Sequence, residues 1–154
     1  MSSGKEGMGM PLGGLRVRIQ LVRSRGAVYN KVINSPVDVS ELLDNLRLED
    51  REHFVCVFVN ANNGVLGVET VSVGTVTASL VHPREVFKSA ILLNACGVIL
   101  VHNHPSGEVA PSSEDIAATH RMADAGKLMG IPVLDHVIIA GKNYASLRER
   151  GLIS

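Results

Sequence analysis

The sequence predicts an α/β domain built on a single mixed β-sheet with flanking helices. Two short apolar runs, Phe54–Val59 and Gly97–Val101, are typical of buried strands. Three helix-start signals stand around them, at Ser35-Pro36, at Pro83 and at Ser112. Strands that alternate with helices along one chain favour this fold class, with three main helices packed on the sheet.

The first half of the chain predicts a strand, a helix and a hairpin. Residues 16–22 alternate charged and apolar side chains, which indicates a half-exposed strand. Its arginines favour an edge strand protected by charge over a contact with a polyanion or an acidic partner. A helix is predicted from Pro36 to about Leu46, with Ser35 as its cap. The strand Phe54–Val59 is followed by turn-forming residues, so Val65–Val73 is expected to return as its hairpin partner.

The second half predicts two helices and three strands. The helix that starts at Pro83 places Val86 and Phe87 at the four-residue helical spacing from further apolar side chains. Gly97–Val101 is the expected central strand. The next helix starts at Ser112 and runs to about Met129, before Gly130. A last hairpin is predicted from Val133–Ala140 and Tyr144–Leu147, around the turn at residues 141–143.

Length and composition indicate one domain. The chain has 154 residues, enough for a single core. Residues 1–14 are rich in Gly, Ser and Met and are expected to form a flexible tail before a domain over residues 15–154. The 15 basic and 15 acidic residues balance, so no overall field favours nucleic acid. No apolar stretch approaches the ~20 residues of a membrane span, and the N-terminus does not resemble a secretory signal.

The two cysteines bear on the cellular compartment. Cys56 and Cys96 both lie in apolar surroundings and lack the Cys-x-x-Cys spacing of a zinc ribbon. We therefore expect two buried, reduced thiols in a cytoplasmic protein. The pattern carries no signal for the oligomeric state.

The most informative stretch is the end of the central strand. His102 and His104 are two residues apart at a strand end, so their side chains project the same way. Asp115, in the first turn of the next helix, can complete a three-ligand site. Two imidazoles and one carboxylate form the ligand set of a catalytic zinc, with a fourth position for water. The alternative is structural: two ordinary loop histidines, and a capping box formed by Ser112 and Asp115.

The same residues resemble a known family. His102-x-His104 followed by Ser112-x-x-Asp115 resembles the JAMM (MPN+) metalloprotease motif. The longer string around it, His102–Gly107 with Pro111-Ser112, is more similar still to the RadC family, as are residues 83–87 and Leu134-Asp135-His136. The resemblance covers about residues 16–152. It implies a JAMM/MPN-like, cytidine-deaminase-like architecture and one zinc ion per chain. Longer RadC proteins carry an N-terminal helix-hairpin-helix region, for which this chain has no room.

A metal-dependent hydrolase also needs a base. A carboxylate near the metal can take the proton of the attacking water. The residues alone do not distinguish Glu52, Glu69 and Glu85. The resemblance implies a glutamate at the start of the strand before the metal strand, which selects Glu52 and leaves Glu69 second. Glu85 is explained by its place in the first turn of a helix.

Two further side-chain roles are expected. The Ser112 hydroxyl can donate to the oxyanion that forms when water attacks a carbonyl, together with free N–H groups of the helix start. The pair Asp135-His136 has two interpretations of equal weight. It either provides a hydrogen bond to a ligand histidine or holds the start of the following strand.

Three functions compete. The first is a zinc-dependent hydrolase that cleaves a peptide or isopeptide bond in a protein or peptide substrate. The second is a DNA-repair-associated module, which the balanced charge and the missing helix-hairpin-helix region disfavour. The third is an inactive scaffold, which the complete motif disfavours. A nucleobase deaminase is excluded because its His-x-Glu and Pro-Cys-x-x-Cys motifs do not occur in the sequence.

Overall fold

The computed structural model describes residues 18–20, 30–74 and 81–154. The expected flexible tail and most of the expected strand over residues 16–22 lie outside these ranges. Residues 18–20, which belong to that expected strand, are exposed and have no regular secondary structure.

One five-stranded mixed sheet forms the centre of the domain. Its strands are β1 (His53–Val59), β2 (Val65–Val73), β3 (Gly97–Asn103), β4 (Val133–Ala140) and β5 (Asn143–Ser146). Their order across the sheet is β2-β1-β3-β4-β5, so β3 is central. β3 and β4 are parallel, and the other neighbours are antiparallel. The expected fold class, both hairpins and the central strand are confirmed.

Helices cover both faces of this sheet. The three α-helices are α1 (Pro36–Leu42), α2 (Pro83–Leu92) and α3 (Ser113–Met129). One core, which includes Phe54, Leu100 and Met122, fills the space between the sheet and the α2 and α3 side. The other core includes Val39 and Val101 and lies on the α1 side. Because β3 is buried along its whole length, the side chains at its end start from a rigid support.

The first helix is shorter than expected. The sequence predicts a helix to about Leu46, but α1 ends at Leu42 and a 3-10 segment follows over Asp44–Leu48. In a 3-10 helix, side chains three residues apart lie above one another. This geometry buries both Leu43 and Leu46 in the core. Tertiary packing therefore favours the tighter 3-10 helix in a segment whose sequence pattern alone predicts an α-helix.

The third helix begins and ends where the sequence indicates. Ser112 is its N-cap, and Gly130 closes it with φ +70°, in the left-handed region that glycine favours. Asp115, Thr119 and Met122 lie on its buried face, at helical spacing. Polar and apolar residues thus share the face that packs on the sheet.

The cysteine prediction is half wrong. Cys56 is fully buried in β1, but Cys96 is exposed, in the short connection between α2 and β3. The apolar residues around Cys96 belong to the two flanking elements, and the connection between them turns its thiol to solvent. Among the residues that the structure describes, no helix has the length and apolar character needed to cross a membrane.

Candidate metal centre

The end of β3 brings two imidazoles together. His102 is fully buried and pairs with Phe54 of β1, while His104 lies just beyond the strand and is partly exposed. The alternation of side chains along the strand places both rings on the same side. Their Nε2 atoms are 2.8 Å apart. The two nitrogens that can face a common ligand therefore meet as the spacing predicts.

Asp115 reaches the same point from the first turn of α3. Its Oδ1 lies 3.2 Å from Nε2 of His102, and its Oδ2 lies 3.2 Å from Nε2 of His104. The carboxylate is held by the capping box, since Oδ2 accepts a hydrogen bond from the Ser112 backbone N–H at 2.8 Å. In return, the Asp115 N–H donates to the Ser112 Oγ. The structural and metal interpretations are therefore compatible, because the capping box orients the carboxylate toward the histidines.

The orientation of the His104 ring follows from its other nitrogen. Nδ1 lies 2.7 Å from the backbone oxygen of Glu108. A carbonyl oxygen only accepts, so Nδ1 must carry the hydrogen. In the neutral ring, Nε2 then presents a lone pair toward Asp115 and His102. The loop between the histidines and α3 thus fixes which nitrogen of His104 is available to a cation.

The electrostatics of the cluster favour a bound positive charge. Burial alone would raise the pKa of Asp115, but the hydrogen bonds that His102 and His104 donate to its carboxylate when their rings are protonated hold that pKa well below the usual range. The pKa of His104 is raised, chiefly by its hydrogen bond to Asp115. A buried carboxylate that stays ionised and two imidazole nitrogens that converge on it form a site for a proton or a metal cation.

These three side chains fit a zinc ion. Among residues 18–20, 30–74 and 81–154, His102, His104 and Asp115 form one group whose ligand atoms lie within 4.8 Å of one another. A tetrahedral site with bonds of about 2.0–2.1 Å separates neighbouring ligand atoms by about 3.3 Å. The observed separations of 2.8–3.2 Å are close to that edge length. The cluster can hold a metal ion, and its nitrogen and oxygen donors suit zinc.

Glu52 lies near the cluster, immediately before β1. The β1–β3 register pairs Phe54 with His102, so continuing it by two residues places Glu52 opposite His104. The charge of Glu52 contributes to the raised pKa of His104, although less than Asp115 does. The amide of Asn103 anchors this segment: its Oδ1 accepts from the His53 N–H at 2.7 Å, and its Nδ2 donates to the Arg51 oxygen at 2.8 Å.

The other two glutamates lie away from the cluster. Glu69 is opposite Cys56 on β2, which is separated from β3 by β1. Two strand spacings amount to about 9.6 Å. Glu85 forms an ion pair with Lys88 on α2, at 2.8 Å, which lowers the pKa of its carboxyl group. Of the three candidates, Glu52 is the one whose charge acts on His104.

The structure divides the two roles considered for Asp135-His136 between the two residues. His136 Nε2 lies 2.7 Å from Nδ1 of His102, so His136 contacts a predicted ligand. Asp135 instead accepts from the His136 N–H, the Ser146 hydroxyl and the Arg148 N–H, and so ties β4 to the segment after it. Complete burial lowers the pKa of His136 and favours its neutral form.

Two residues at the centre escaped the sequence analysis. The Thr119 hydroxyl lies 2.5 Å from Nδ1 of His136 and 2.6 Å from the backbone oxygen of Asp115. Asn103 stands between the two histidines of the motif and holds the segment around Glu52. The sequence does contain a signal for Thr119. It lies one helical turn after Asp115 and therefore on the same face of α3. The side chain of Asn103 carries no such periodic signal.

Comparison with known proteins agrees with this geometry. Residues 33–152 match the family model of the RadC-like JAB domain. A UPF0758 protein of Desulfitobacterium hafniense is 49% identical over 143 residues, which cover 90% of this chain and 63% of that protein. A UPF0758 protein of Rubrobacter xylanophilus is 51% identical over 137 residues, which cover 88% and 59% of the two chains. The chain thus spans about three fifths of the length of these relatives. It belongs to the RadC-like JAB domain family.

Proposed function

We propose that this protein is a zinc-dependent hydrolase that cleaves a peptide or isopeptide bond in a protein or peptide substrate. One observation carries the proposal: two imidazole nitrogens and an ionised carboxylate converge at the end of the central strand, with separations that suit a tetrahedral ion. Membership of the RadC-like JAB domain family supports it. The names of the relatives state no activity, so the substrate class is part of this proposal and is not taken from them.

Each side chain has a distinct task in this mechanism. His102, His104 and Asp115 hold the ion, which when bound acidifies a water molecule and polarises a carbonyl group. Glu52, next to His104, accepts a proton from the attacking water and passes it to the leaving amine. The Ser112 hydroxyl donates to the oxyanion. Since Ser112 Oγ uses a lone pair to accept from Asp115, its hydrogen is a separate donor.

The surroundings of the site match this chemistry. His102 and Asp115 are buried, while His104 is partly exposed and Ser112 is exposed. A substrate therefore approaches from the side of His104 and the start of α3. The N-terminus of α3 adds backbone N–H groups and a positive dipole end on that side. We also propose the cytoplasm as the compartment, because both thiols are free.

The decisive experiment measures metal content and cleavage together. The purified protein is assayed for bound metal and then incubated with a panel of peptide and isopeptide substrates, with and without a chelator. Cleavage that the chelator abolishes and added zinc restores supports the proposal. A zinc-loaded protein that cleaves nothing in the panel contradicts it and favours a non-catalytic scaffold.

A matched pair of variants tests the metal ligands. Asp115→Ala removes both a ligand and the carboxylate of a capping box, so it should lose zinc and activity. Asp38 occupies the same capping-box position in α1 and, among the described residues, does not belong to the His102, His104 and Asp115 group. Asp38→Ala therefore removes a cap alone and should keep both zinc and activity. If both variants bind zinc as tightly as the parent, Asp115 is not a ligand.

A further inference from the structure

A chain of buried hydrogen bonds runs behind the metal centre. It begins at Nδ1 of His102, passes through His136 and the Thr119 hydroxyl, and ends at the backbone oxygen of Asp115. None of the three side chains is exposed to solvent, with a relative exposure of 0% for each. Because Asp115 and His102 also meet at the cluster, the chain connects two predicted ligands through the interior of the protein.

The direction of each hydrogen bond follows from its ends. The Asp115 carbonyl oxygen has no hydrogen, so the hydrogen of the 2.6 Å contact comes from the Thr119 hydroxyl. That hydroxyl has one hydrogen, and at its 2.5 Å contact with His136 it must therefore accept from Nδ1–H. The neutral ring of His136 then has its lone pair on Nε2. At the next contact, of 2.7 Å, His102 must donate from its own Nδ1.

The outcome is a defined tautomer of a predicted ligand. With its hydrogen on Nδ1, His102 carries its lone pair on Nε2, the nitrogen that faces Asp115 and His104. Free imidazole in water exchanges between its two tautomers, and the wrong one would present N–H to a cation. The buried chain of hydrogen bonds fixes the tautomer of His102 in the metal-free protein.

We propose that His136 and Thr119 are positioning residues that hold His102 as its Nδ1–H tautomer and so direct its Nε2 lone pair toward the metal site. The inference builds on the metal site of the proposed function and adds two residues to it. It does not depend on the reaction that the site catalyses. Hydrogen bonds of this kind from outside the ligand set typically change metal affinity by about 10–100-fold.

A matched pair of variants at Thr119 tests the inference. Thr119→Val keeps the shape of the side chain and removes the acceptor for His136, while Thr119→Ser keeps the hydroxyl. Without the hydroxyl, His136 can move its hydrogen to Nε2, which would face His102 as a donor and reverse the His102 tautomer. Thr119→Val should therefore bind zinc about 10–100-fold more weakly than the parent. Thr119→Ser keeps the hydrogen bond and should lose less than about 10-fold.

Two readouts separate the inference from the metal proposal. Zinc affinity is measured by competition with a chromophoric chelator, with circular dichroism as the check that each variant is folded. The tautomer of His102 is read from ¹⁵N chemical shifts of the metal-free protein at a pH of about 8.5, above the ordinary imidazole pKa. The parent and Thr119→Ser should show Nδ1–H, and Thr119→Val should show Nε2–H or a mixture.

Each outcome bears on one of the two proposals. A parent protein with the Nδ1–H tautomer and no zinc affinity refutes the metal site but supports the positioning roles. A parent with the Nε2–H tautomer refutes the positioning roles, whatever its zinc affinity. They are also refuted if Thr119→Val keeps both the parent tautomer and the parent affinity. A loss of affinity that Thr119→Ser shares equally would indicate packing rather than the hydrogen bond.

Discussion

At the scale of single residues, Glu52 and Ser112 divide the proposed chemistry between a proton acceptor and a hydrogen-bond donor. Both are near the cluster, but they reach it through different structures. Glu52 stands at the start of a strand that the Asn103 amide anchors. Ser112 is fixed by the capping box that also holds Asp115. The two roles therefore predict different results when each side chain is replaced.

Glu52→Gln should abolish turnover and leave zinc binding intact. The amide keeps the size and hydrogen bonding of the carboxylate but does not accept the proton of the attacking water. Glu85→Gln is the matched control, because Glu85 forms only surface ion pairs on α2 and should keep parental activity. Steady-state rates and bound zinc are measured for both. Full activity of Glu52→Gln would show that Glu52 is not the base.

Ser112→Ala should lower kcat by on the order of 10²–10³, the usual loss of an oxyanion donor. It should also lower the free energy of unfolding by about 1 kcal/mol, because the same hydroxyl caps α3. Ser112→Thr keeps a hydroxyl at this position and should retain most of both properties. Rates are compared at a temperature where all three proteins are folded. A parental rate in Ser112→Ala would leave Ser112 with its capping role alone.

The residues of the centre differ in how far the sequence predicts them. His102, His104 and Asp115 follow from short spacings whose geometry is set by one strand end and one helix start. Thr119 and His136 meet only because α3 packs on β4, and that packing brings together residues 17 positions apart. A local pattern contains no information about that contact, and so the hydrogen-bonded chain emerges only from the structure.

At the scale of elements, the link between β1 and β3 aligns the proposed base Glu52 with the candidate metal centre. The Asn103 side chain bridges the two strands where the sheet ends. It is buried, so its hydrogen bonds are shielded from competition with water. We therefore expect the two strands to separate first at this point when the Asn103 amide is removed.

Asn103→Ala should free the start of β1 while the rest of the sheet stays intact. The free energy of unfolding should fall by about 1–3 kcal/mol, since the variant loses two buried hydrogen bonds. The His53 amide should exchange with solvent faster, because its acceptor is gone. Asn60→Ala is the control: Asn60 accepts from two amides in the β1–β2 turn, at the other end of β1. Unchanged exchange at His53 in Asn103→Ala would contradict the anchoring role.

The elements themselves were largely predictable, with one instructive exception. Helix starts, both hairpins and the central strand carry local signals, namely caps, turn residues and apolar runs. The end of α1 carries no such local signal. Its change to a 3-10 segment places Leu43 and Leu46 in the core, and Arg47 reaches the carbonyl oxygens of Gly141 and Asn143. Such contacts between distant segments override a local helical pattern.

At the scale of the whole molecule, the two thiols report on the integrity of the core. Burial raises the pKa of the Cys56 thiol, and the charge of Glu69 raises it further. Cys96 is exposed. The thiolate is the reactive form of cysteine. Cys56 is therefore protected twice, because it is inaccessible to reagents and because its raised pKa keeps it protonated. The β1–β2 hairpin on one side of Cys56 has a local turn signal, but the β1–β3 pairing on its other side joins distant segments and has none.

A disulfide reagent at a pH of about 8 should therefore label one thiol per folded chain rapidly, in the range where an ordinary thiol begins to ionise. The second should react only as fast as the domain unfolds. Cys96→Ser should remove the rapid phase, whereas Cys56→Ser should keep it. Stopped-flow absorbance measures both phases, and added denaturant should accelerate the slow one. Two rapid thiols in the parent protein would show that the β1 core opens readily.

The placement of the predicted ligands also affects the order in which the site assembles. His102, His104 and Asp115 occupy one short stretch of chain, residues 102–115, whereas Glu52 arrives on a separate strand. Closing a short loop costs little entropy, and long-range strand pairing comes later and more slowly. A newly made chain can therefore gather the three ligands around a cation before β1 docks beside β3. In the proposed mechanism, metal binding therefore precedes the arrival of the base Glu52, so an incompletely folded chain lacks the means to cleave.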